Sequence, residues 1–252
     1  MHEFAMYVPS LSTNVPHGAT LKITDEELSR RIVRVLRLKK GDPLILFGRM
    51  VSVRTKIGSL SNKNHVELID CCWSTHVQRR PVVTFFLPVL KNDHCEQAIY
   101  GLTEMGVTVI QLLFSAGGRN LWRSDTQLKR LERISIAAAE QAKNVEIPII
   151  LPPISLSDGL SSCKAAVGGR YFFDPNGLSS SDLSVQLAQI ARQGKDDHHV
   201  AALVGPEADF TADEKRMIAS AGFVSYALTP TVIRAYQAAI LAAGMIRSLC
   251  RM

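Results

Sequence analysis

The sequence predicts an α/β protein: a small β-rich N-terminal domain, then a larger domain with a mainly parallel sheet and helices on both faces. Three observations predict it. Short strand-like runs separated by turns fill the first third, which points to a small β-barrel. From Pro81 onward, apolar strand-like runs alternate with helical patterns, as in sheets covered on both faces. The composition, 46% hydrophobic and 21% charged over 252 residues, supplies enough apolar side chains for a sizeable core.

A strand is expected near residues 4–8. Thr24-Asp25-Glu26-Glu27 has the T-x-x-E form of a capping box. It is read as opening a helix to about Leu38, stopped by Gly41-Asp42-Pro43. Runs at 44–47, 51–57 and 65–73 read as strands. Gln78-Arg79-Arg80-Pro81 reads as a linker, placing the domains at 1–77 and 78–252.

In the larger domain, residues 82–89 read as a strand and 93–105 as a helix. Residues 109–114 are the next strand. Ser124 caps a helix to about Lys143, with Gln127 at its third position. Further strands are read at 148–151, 170–173 and 200–204. Thr211-Ala212-Asp213-Glu214 is a second capping box, opening a helix to about Ala221. A strand at 224–228 and an Ala-rich helix at 235–249 end the chain.

Several classes are excluded or disfavoured. No G-x-G-x-x-G or G-x-x-x-x-G-K-[ST] cradle is present, which argues against dinucleotide and P-loop sites. The five cysteines (Cys71, Cys72, Cys95, Cys163, Cys250) form no CxxC pair, so neither a disulfide framework nor a zinc site is expected. His198-His199 has no third ligand at metal spacing, and no metal is expected. The start shows no signal pattern. The longest apolar stretch, 235–249, is broken by Gln237, Gly244 and Arg247 and is short of a membrane span. A cytoplasmic protein is the expectation.

Ligands of such sheets bind beyond the carboxyl ends of the strands. Three segments lie there. Leu203, Val204, Gly205, Pro206 and Glu207, with Ala208-Asp209-Phe210 following, offer a bare backbone at Gly205 and carboxylates that can accept hydrogen bonds from ribose or an amino group. Leu228, Thr229, Pro230, Thr231, Val232 and Ile233 lead to Arg234 and can offer backbone groups and apolar walls to an adenine. Phe173, Asp174 and Pro175, with Asn176-Gly177, form a turn that can close a third wall. Each segment also reads as an ordinary connection. A cation such as Arg234 at a helix start opposes the helix dipole, which makes a functional role more attractive there.

The net charge is +6, consistent with a phosphate-bearing partner. Arg30, Arg31, Arg34 and Arg37 spiral on the N-terminal helix; Arg119, Arg123, Lys129, Arg130 and Arg133 gather around the helix after Ser124. Arginine forks suit phosphate oxygens. Either cluster alone reads as a solvated face; two clusters on different domains favour RNA. Glu140-Gln141 is a lesser candidate for a polar contact.

Taken together, the segments resemble the SPOUT methyltransferases, and more closely the type that methylates uridine N3 in 16S ribosomal RNA. Arg34-Val35-Leu36-Arg37-Leu38-Lys39-Lys40-Gly41-Asp42 resembles that family's N-terminal signature. Thr103-Glu104-Met105-Gly106-Val107 resembles its E-L-G-V segment, and Ala137-Ala138-Ala139-Glu140-Gln141 its A-x-x-Q helix end. Val204-Gly205-Pro206-Glu207 matches the start of its G-P-E-G-G motif. Leu228-Thr229-Pro230-Thr231-Val232-Ile233-Arg234 resembles its L-G-x-x-I-L-R loop.

The resemblance implies a PUA-like RNA-binding barrel over 1–77 and a SPOUT α/β domain with a deep trefoil knot over 78–252. It implies S-adenosyl-L-methionine held by the three loops. Methylating N3 calls for a cation near a uracil oxygen, and Arg234 is read as that catalytic residue. Arg31, Arg34, Arg37, Arg119 and Arg123, from the two basic clusters, are read as the RNA contacts; the resemblance implies 16S ribosomal RNA or the small subunit as partner and a homodimer as the working form.

The chain departs from the pattern at several places. Ala208 and Asp209 replace the last two glycines of G-P-E-G-G, Thr229 replaces a glycine, and Ala235-Tyr236-Gln237-Ala238 replaces T-E-T-A. Gly101 lies where a lysine is expected, and Ser115-Ala116-Gly117-Gly118-Arg119 alters an arginine pattern. Two other readings therefore stay open: a member that holds ribosomal RNA without transferring methyl, and a SPOUT enzyme acting on another RNA nucleotide.

Overall fold

The structure is a computed structural model that describes residues 3–11, 18–60, 65–116, 122, 125–163, 168–193 and 199–250. The chain divides into two compact units: residues 1–77 with 139–145, and residues 78–138 with 146–252.

In the first unit, β1 (Phe4–Tyr7), β2 (Leu21–Ile23), β3 (Pro43–Phe47), β4 (Val51–Leu60) and β5 (Val66–Thr75) form one sheet in the order β1-β3-β4-β5-β2. β1 runs parallel to β3, and the other neighbours are antiparallel. Alternation along the strands turns Met6, Leu44, Leu46, Val53, Val66 and Leu68 into one core. Ile32 seals that core from the helical segment.

That segment differs from the expectation. The helix α1 (Glu26–Arg30) is capped by Asp25, whose side chain accepts from the Leu28 amide; Thr24 is not the cap. Shifting the cap by one residue places Leu28 rather than Glu27 three positions on, so no capping box can form. After Arg30 the chain widens into a π-helical turn, Arg31–Val35, with the Leu36 amide bonded to the Arg31 carbonyl. Arg37 then adopts a left-handed conformation, φ 53°. Such wide turns re-aim side chains. Arg34 and Arg37 end exposed, while Arg31 donates to Glu140 Oε2 at 2.7 Å. The other oxygen of Glu140 accepts from the Tyr7 amide at 2.9 Å.

The second unit is a six-stranded sheet in the order β11-β9-β10-β6-β7-β8, with every neighbouring pair parallel. Its strands are β6 (Val82–Pro88), β7 (Val109–Phe114), β8 (Ile149–Ser155), β9 (Gly169–Leu178), β10 (His199–Val204) and β11 (Val224–Tyr226). Its helices are α2 (Asn92–Glu104), α3 (Asp125–Ala142), α4 (Leu156–Ser162), α5 (Ser180–Gln193), α6 (Ala212–Ser220) and α7 (Ala235–Leu249).

Successive residues of a strand face opposite sides. Val200, Ala202 and Val204 pack with side chains of α2, α5 and α7, such as Ile99, Leu187 and Ala243. Ala201 and Leu203 pack with Leu156, Leu160 and Ile218 of α4 and α6. Helices therefore cover both faces, as the alternating pattern predicts.

Two helices differ from the sequence reading. α4 and α5 fall where no helix is expected. α5 opens on Ser179-Ser180-Ser181, a serine run that reads as loop. Ser179 acts as its cap: its Oγ accepts from the Ser181 amide and its carbonyl from Leu183. Leu183, Leu187 and Ile190 then recur on one buried face, the spacing of an amphipathic helix. β9 also runs five residues past the expected Phe173. Gly177 permits this, because a Cβ there would lie 2.4 Å from the Tyr226 amide nitrogen.

The last helix is fixed along its length. A Cβ at Gly101 of α2 would sit 2.4 Å from Ile240, so the missing side chain lets α2 and α7 approach closely. Near its end, Arg247 donates to the carbonyls of Gly106 and Pro81 and to Thr108 Oγ1, at 2.7–2.9 Å. The start of α7 is thereby held in place, and Arg234 stands at that start.

Candidate functional site

A cavity of about 580 Å³ opens at the carboxyl ends of β9 and β10 and beside the segment after β11. All three segments singled out in the sequence line it. From the first come Phe173, Asp174 and Pro175, with Asn176 and Phe172. From the second come Val204, Gly205, Pro206 and Glu207, with Asp209. From the third come Leu228, Thr229, Val232, Ile233 and Arg234, with Thr231. Ala235 and Ala238 of α7 complete the lining. Leu203 and Pro230 are not in it; Leu203 is wholly buried against the opposite face of the sheet. Arg31, Arg34 and Arg37 lie in the other unit, and Arg119 and Arg123 lie outside the described residues.

Gly205 has a telling geometry. A Cβ added there would meet only Asp209 Oδ1 at 3.5 Å and Phe210 at 3.9 Å, ordinary contacts. Packing within the protein does not demand glycine here. The bare backbone at this position lines the cavity.

The β10–α6 connection is held by ion pairs through Lys215, the one member that sequence reasoning missed. Asp209 stands in the left-handed region, φ 62°, which favours glycine and which aspartate tolerates better than most residues. Its amide donates to the Pro206 carbonyl, and its Oδ1 accepts from the Phe210 amide at 2.7 Å. Its Oδ2 meets Lys215 Nζ at 2.8 Å. The same ammonium reaches Asp174 Oδ2 at 2.7 Å, and Asp174 Oδ1 accepts from the Asn176 amide at 2.8 Å.

Burial pushes the Asp174 carboxyl up, but the hydrogen bonds from Lys215 and the Asn176 amide outweigh it and hold the group below the ordinary aspartate value. Burial likewise lowers Lys215, and its bonds to Asp174 and Asp209 overcome that and raise it. Both groups therefore stay charged at neutral pH.

Glu207 is engaged too. Its Oε1 accepts from the Lys91 amide at 3.2 Å and pairs with His94 Nδ1 at 3.0 Å. A carboxylate at the start of α2 suits the helix dipole. The His94 ring stacks on Tyr236, with centroids 5.1 Å apart. Glu214 completes its capping box with Thr211 and spends its other oxygen on the Ala116 amide at 2.8 Å.

Arg234 caps α7 without a side-chain hydrogen bond and is exposed at the cavity edge. Nothing among the described residues pairs with its guanidinium in an ion pair. The site thus combines an apolar cleft, a bare backbone stretch, three carboxylates and one free-standing guanidinium. A signal for the Lys215 clip existed: Asp209 occupies a position where the G-P-E-G-G pattern has a glycine, and the structure shows it left-handed. Its lysine partner has no signature in the sequence.

Comparison with known proteins places the chain in a family. The family model for an RNA methyltransferase domain matches residues 78–247. A Rickettsia conorii protein, ribosomal RNA small subunit methyltransferase E, is 25% identical over 244 residues, 95% of this chain and 94% of that one. A Synechocystis protein of the same name is 27% identical over 92% of this chain and 74% of its own length. The crystal structure of ribosomal RNA small subunit methyltransferase E from Neisseria gonorrhoeae, bound to S-adenosyl methionine, superposes with a TM-score of 0.77 at 23% identity, covering 98% of each chain. A probable rRNA-methyltransferase from Porphyromonas gingivalis gives 0.73 at 24%, also covering 98% of each. These likenesses show a shared fold, with a PUA-like first unit and a SPOUT second unit. With its larger unit matched almost throughout, this chain belongs to the RNA methyltransferase domain family.

Proposed function

We propose that the chain transfers a methyl group from S-adenosyl-L-methionine to N3 of a uridine in 16S ribosomal RNA. The observation that carries this reading is the convergence of the segments after β9, β10 and β11 on one cavity. Support also comes from the names of the relatives and from the cofactor in the Neisseria gonorrhoeae structure. The residues present fit such a cofactor: Gly205 lines the cavity with bare backbone that packing does not require, and Leu228, Val232 and Ile233 supply apolar walls.

Bound there, the cofactor supplies an activated methyl on a sulfonium. The protein's task is alignment, which contributes much of the rate in such transfers. Phe173, Pro175, Gly205, Pro206 and the 228–233 loop hold and orient the cofactor. Uracil N3 carries a proton at neutral pH; that proton passes to solvent as the methyl–sulfur bond gives way to the methyl–N3 bond, and negative charge develops on the ring as it leaves. Arg234 stabilises this charge at a uracil oxygen or grips the adjacent phosphate. The target base is splayed out of the folded RNA to reach the cavity.

Residues 1–77 act as the RNA-binding domain and residues 78–252 as the methyltransferase domain. Arg34, exposed within the π-helical turn, and Arg37, exposed just after it, contact phosphate, which positions the substrate without reading its bases. The family likeness further supports a trefoil knot in the 78–252 domain, and a homodimer as the working form. No helix of the described residues is long and apolar enough to cross a membrane. The cytoplasm, where small-subunit RNA is found, is the proposed site of action.

Calorimetric titration of the full chain with S-adenosyl-L-methionine tests the reading. Saturable binding in the micromolar range is expected. No binding at millimolar cofactor contradicts it and leaves an RNA-holding protein.

A further inference from the structure

The chain carries a formal +6, yet its cavity is acidic. Asp174, Glu207 and Asp209 line it, against Arg234 in the lining and Lys215 beside it. Three carboxylates stand against these two permanent cations, one negative charge in excess. The excess can be assigned to one residue. Asp174 is 6% exposed and holds Lys215 and the Asn176 amide at once. Glu207 is tied to His94 and the start of α2. Asp209 shares the ammonium that Asp174 already uses, and its side chain is 61% exposed. Two carboxylates on one ammonium leave a net −1, and the more open member is Asp209. This is also the residue that stands where the G-P-E-G-G pattern has a glycine.

We propose that Asp209 makes the cavity discriminate by charge, favouring the cationic cofactor S-adenosyl-L-methionine over its neutral demethylated form, S-adenosylhomocysteine. The inference rests on the cofactor reading above. The two ligands share adenosine and amino acid, and differ by one methyl and one unit of charge at sulfur. Shape contacts serve both alike; a fixed negative charge at the wall stabilises only the sulfonium. Across several ångströms of partly solvated protein, a unit charge is worth about three- to tenfold in affinity. Lys215 is the positioning residue. It holds the Asp209 carboxylate on the cavity wall and keeps the left-handed turn closed. The consequence is that the spent cofactor is held less tightly than the fresh one.

The test measures both dissociation constants by calorimetry, for the wild-type chain and for Asp209→Asn. Asparagine keeps the shape, tolerates the left-handed backbone and can still accept from the Phe210 amide. Asp209→Gly, which restores the pattern's bare backbone, is the second variant. In both, the preference for S-adenosyl-L-methionine should fall about three- to tenfold, with S-adenosylhomocysteine affinity within about twofold of wild type. The wild-type preference should also shrink as salt is raised, because an exposed charge is screened. An unchanged preference in both variants overturns the proposal and leaves the cofactor reading intact. So does an equal loss of both ligands, which marks Asp209 as merely structural. Binding of neither ligand to the wild-type chain overturns the cofactor reading and this inference with it.

Discussion

Lys215 places its ammonium 2.7 Å from the buried carboxylate of Asp174, and this pair joins the end of β9 to the helix that follows β10. It fixes two walls of the cavity to each other. Asp174 sits below its ordinary pKa and Lys215 above its own, which gives the pair a defined pH window.

Asp174 contributes stability that is present above its unfolded pKa and lost as pH falls through its lowered folded value. Lys215 contributes stability that is present below its unfolded pKa and lost as pH rises through its raised folded value. The pair is thus at full strength between about pH 4 and pH 10. Lys215→Met leaves Asp174 buried without its cation and should cost roughly 2–3 kcal/mol at pH 7. Thermal unfolding across pH checks it: the gap between wild type and variant should narrow in acid, where Asp174 of the variant can take up a proton. A gap that stays constant with pH rejects the pairing.

Two glycines should respond in opposite ways to the same methyl group. At Gly177 a Cβ would strike the Tyr226 backbone at 2.4 Å, whereas at Gly205 its nearest neighbour lies 3.5 Å away. Gly177→Ala is expected to destabilise the fold by roughly 2–3 kcal/mol through overpacking. Gly205→Ala should leave the melting temperature nearly unchanged and weaken cofactor binding about tenfold or more. Melting curves and calorimetry on the two variants separate the roles; a destabilised Gly205→Ala with normal affinity reverses them.

Arg234 trades stability for function. It begins α7 with no capping bond, and its charge opposes the helix dipole. Arg234→Ser supplies a capping hydroxyl and should stabilise the chain by about 0.5–1 kcal/mol. Methyl transfer should fall about a hundredfold as the stabilising cation is lost. Steady-state kinetics beside a denaturant titration tests both halves; retained kcat removes Arg234 from the reaction.

The arginines of the N-terminal helical segment should divide. Arg31 is engaged by Glu140, while Arg34 and Arg37 are exposed. Arg34→Ala and Arg37→Ala should each weaken RNA binding and reduce the slope of log affinity against log salt by about 0.7–1. Arg31→Ala should lower stability by about 1–3 kcal/mol through the partner it strands. Filter binding over a salt series, with melting curves, distinguishes them.

Much of this was legible in the sequence because the signals are local. Parallel strands such as 109–114 read as apolar runs, and the capping box at Thr211 and Glu214 marked α6 directly. The strand-end segments announced themselves through Gly205-Pro206 and Thr229-Pro230. What stayed hidden depends on distant partners. The Glu140 contact of Arg31 spans 109 residues, and the Lys215 clip reaches back to Asp174 through a fold that no periodicity encodes. α5 was obscured because serine favours caps and turns, even though its Leu183, Leu187 and Ile190 keep helical spacing. The wide turn at Arg31–Val35 follows a run that reads as plain helix.

The most direct test of methyl transfer to uridine N3 is mass-spectrometric mapping of modified nucleosides in 16S ribosomal RNA from cells with and without the gene. The expected result is loss of one N3-methyluridine on deletion, restored by the wild-type chain and not by Arg234→Ser. Retention of every N3-methyluridine in the deleted cells would contradict it.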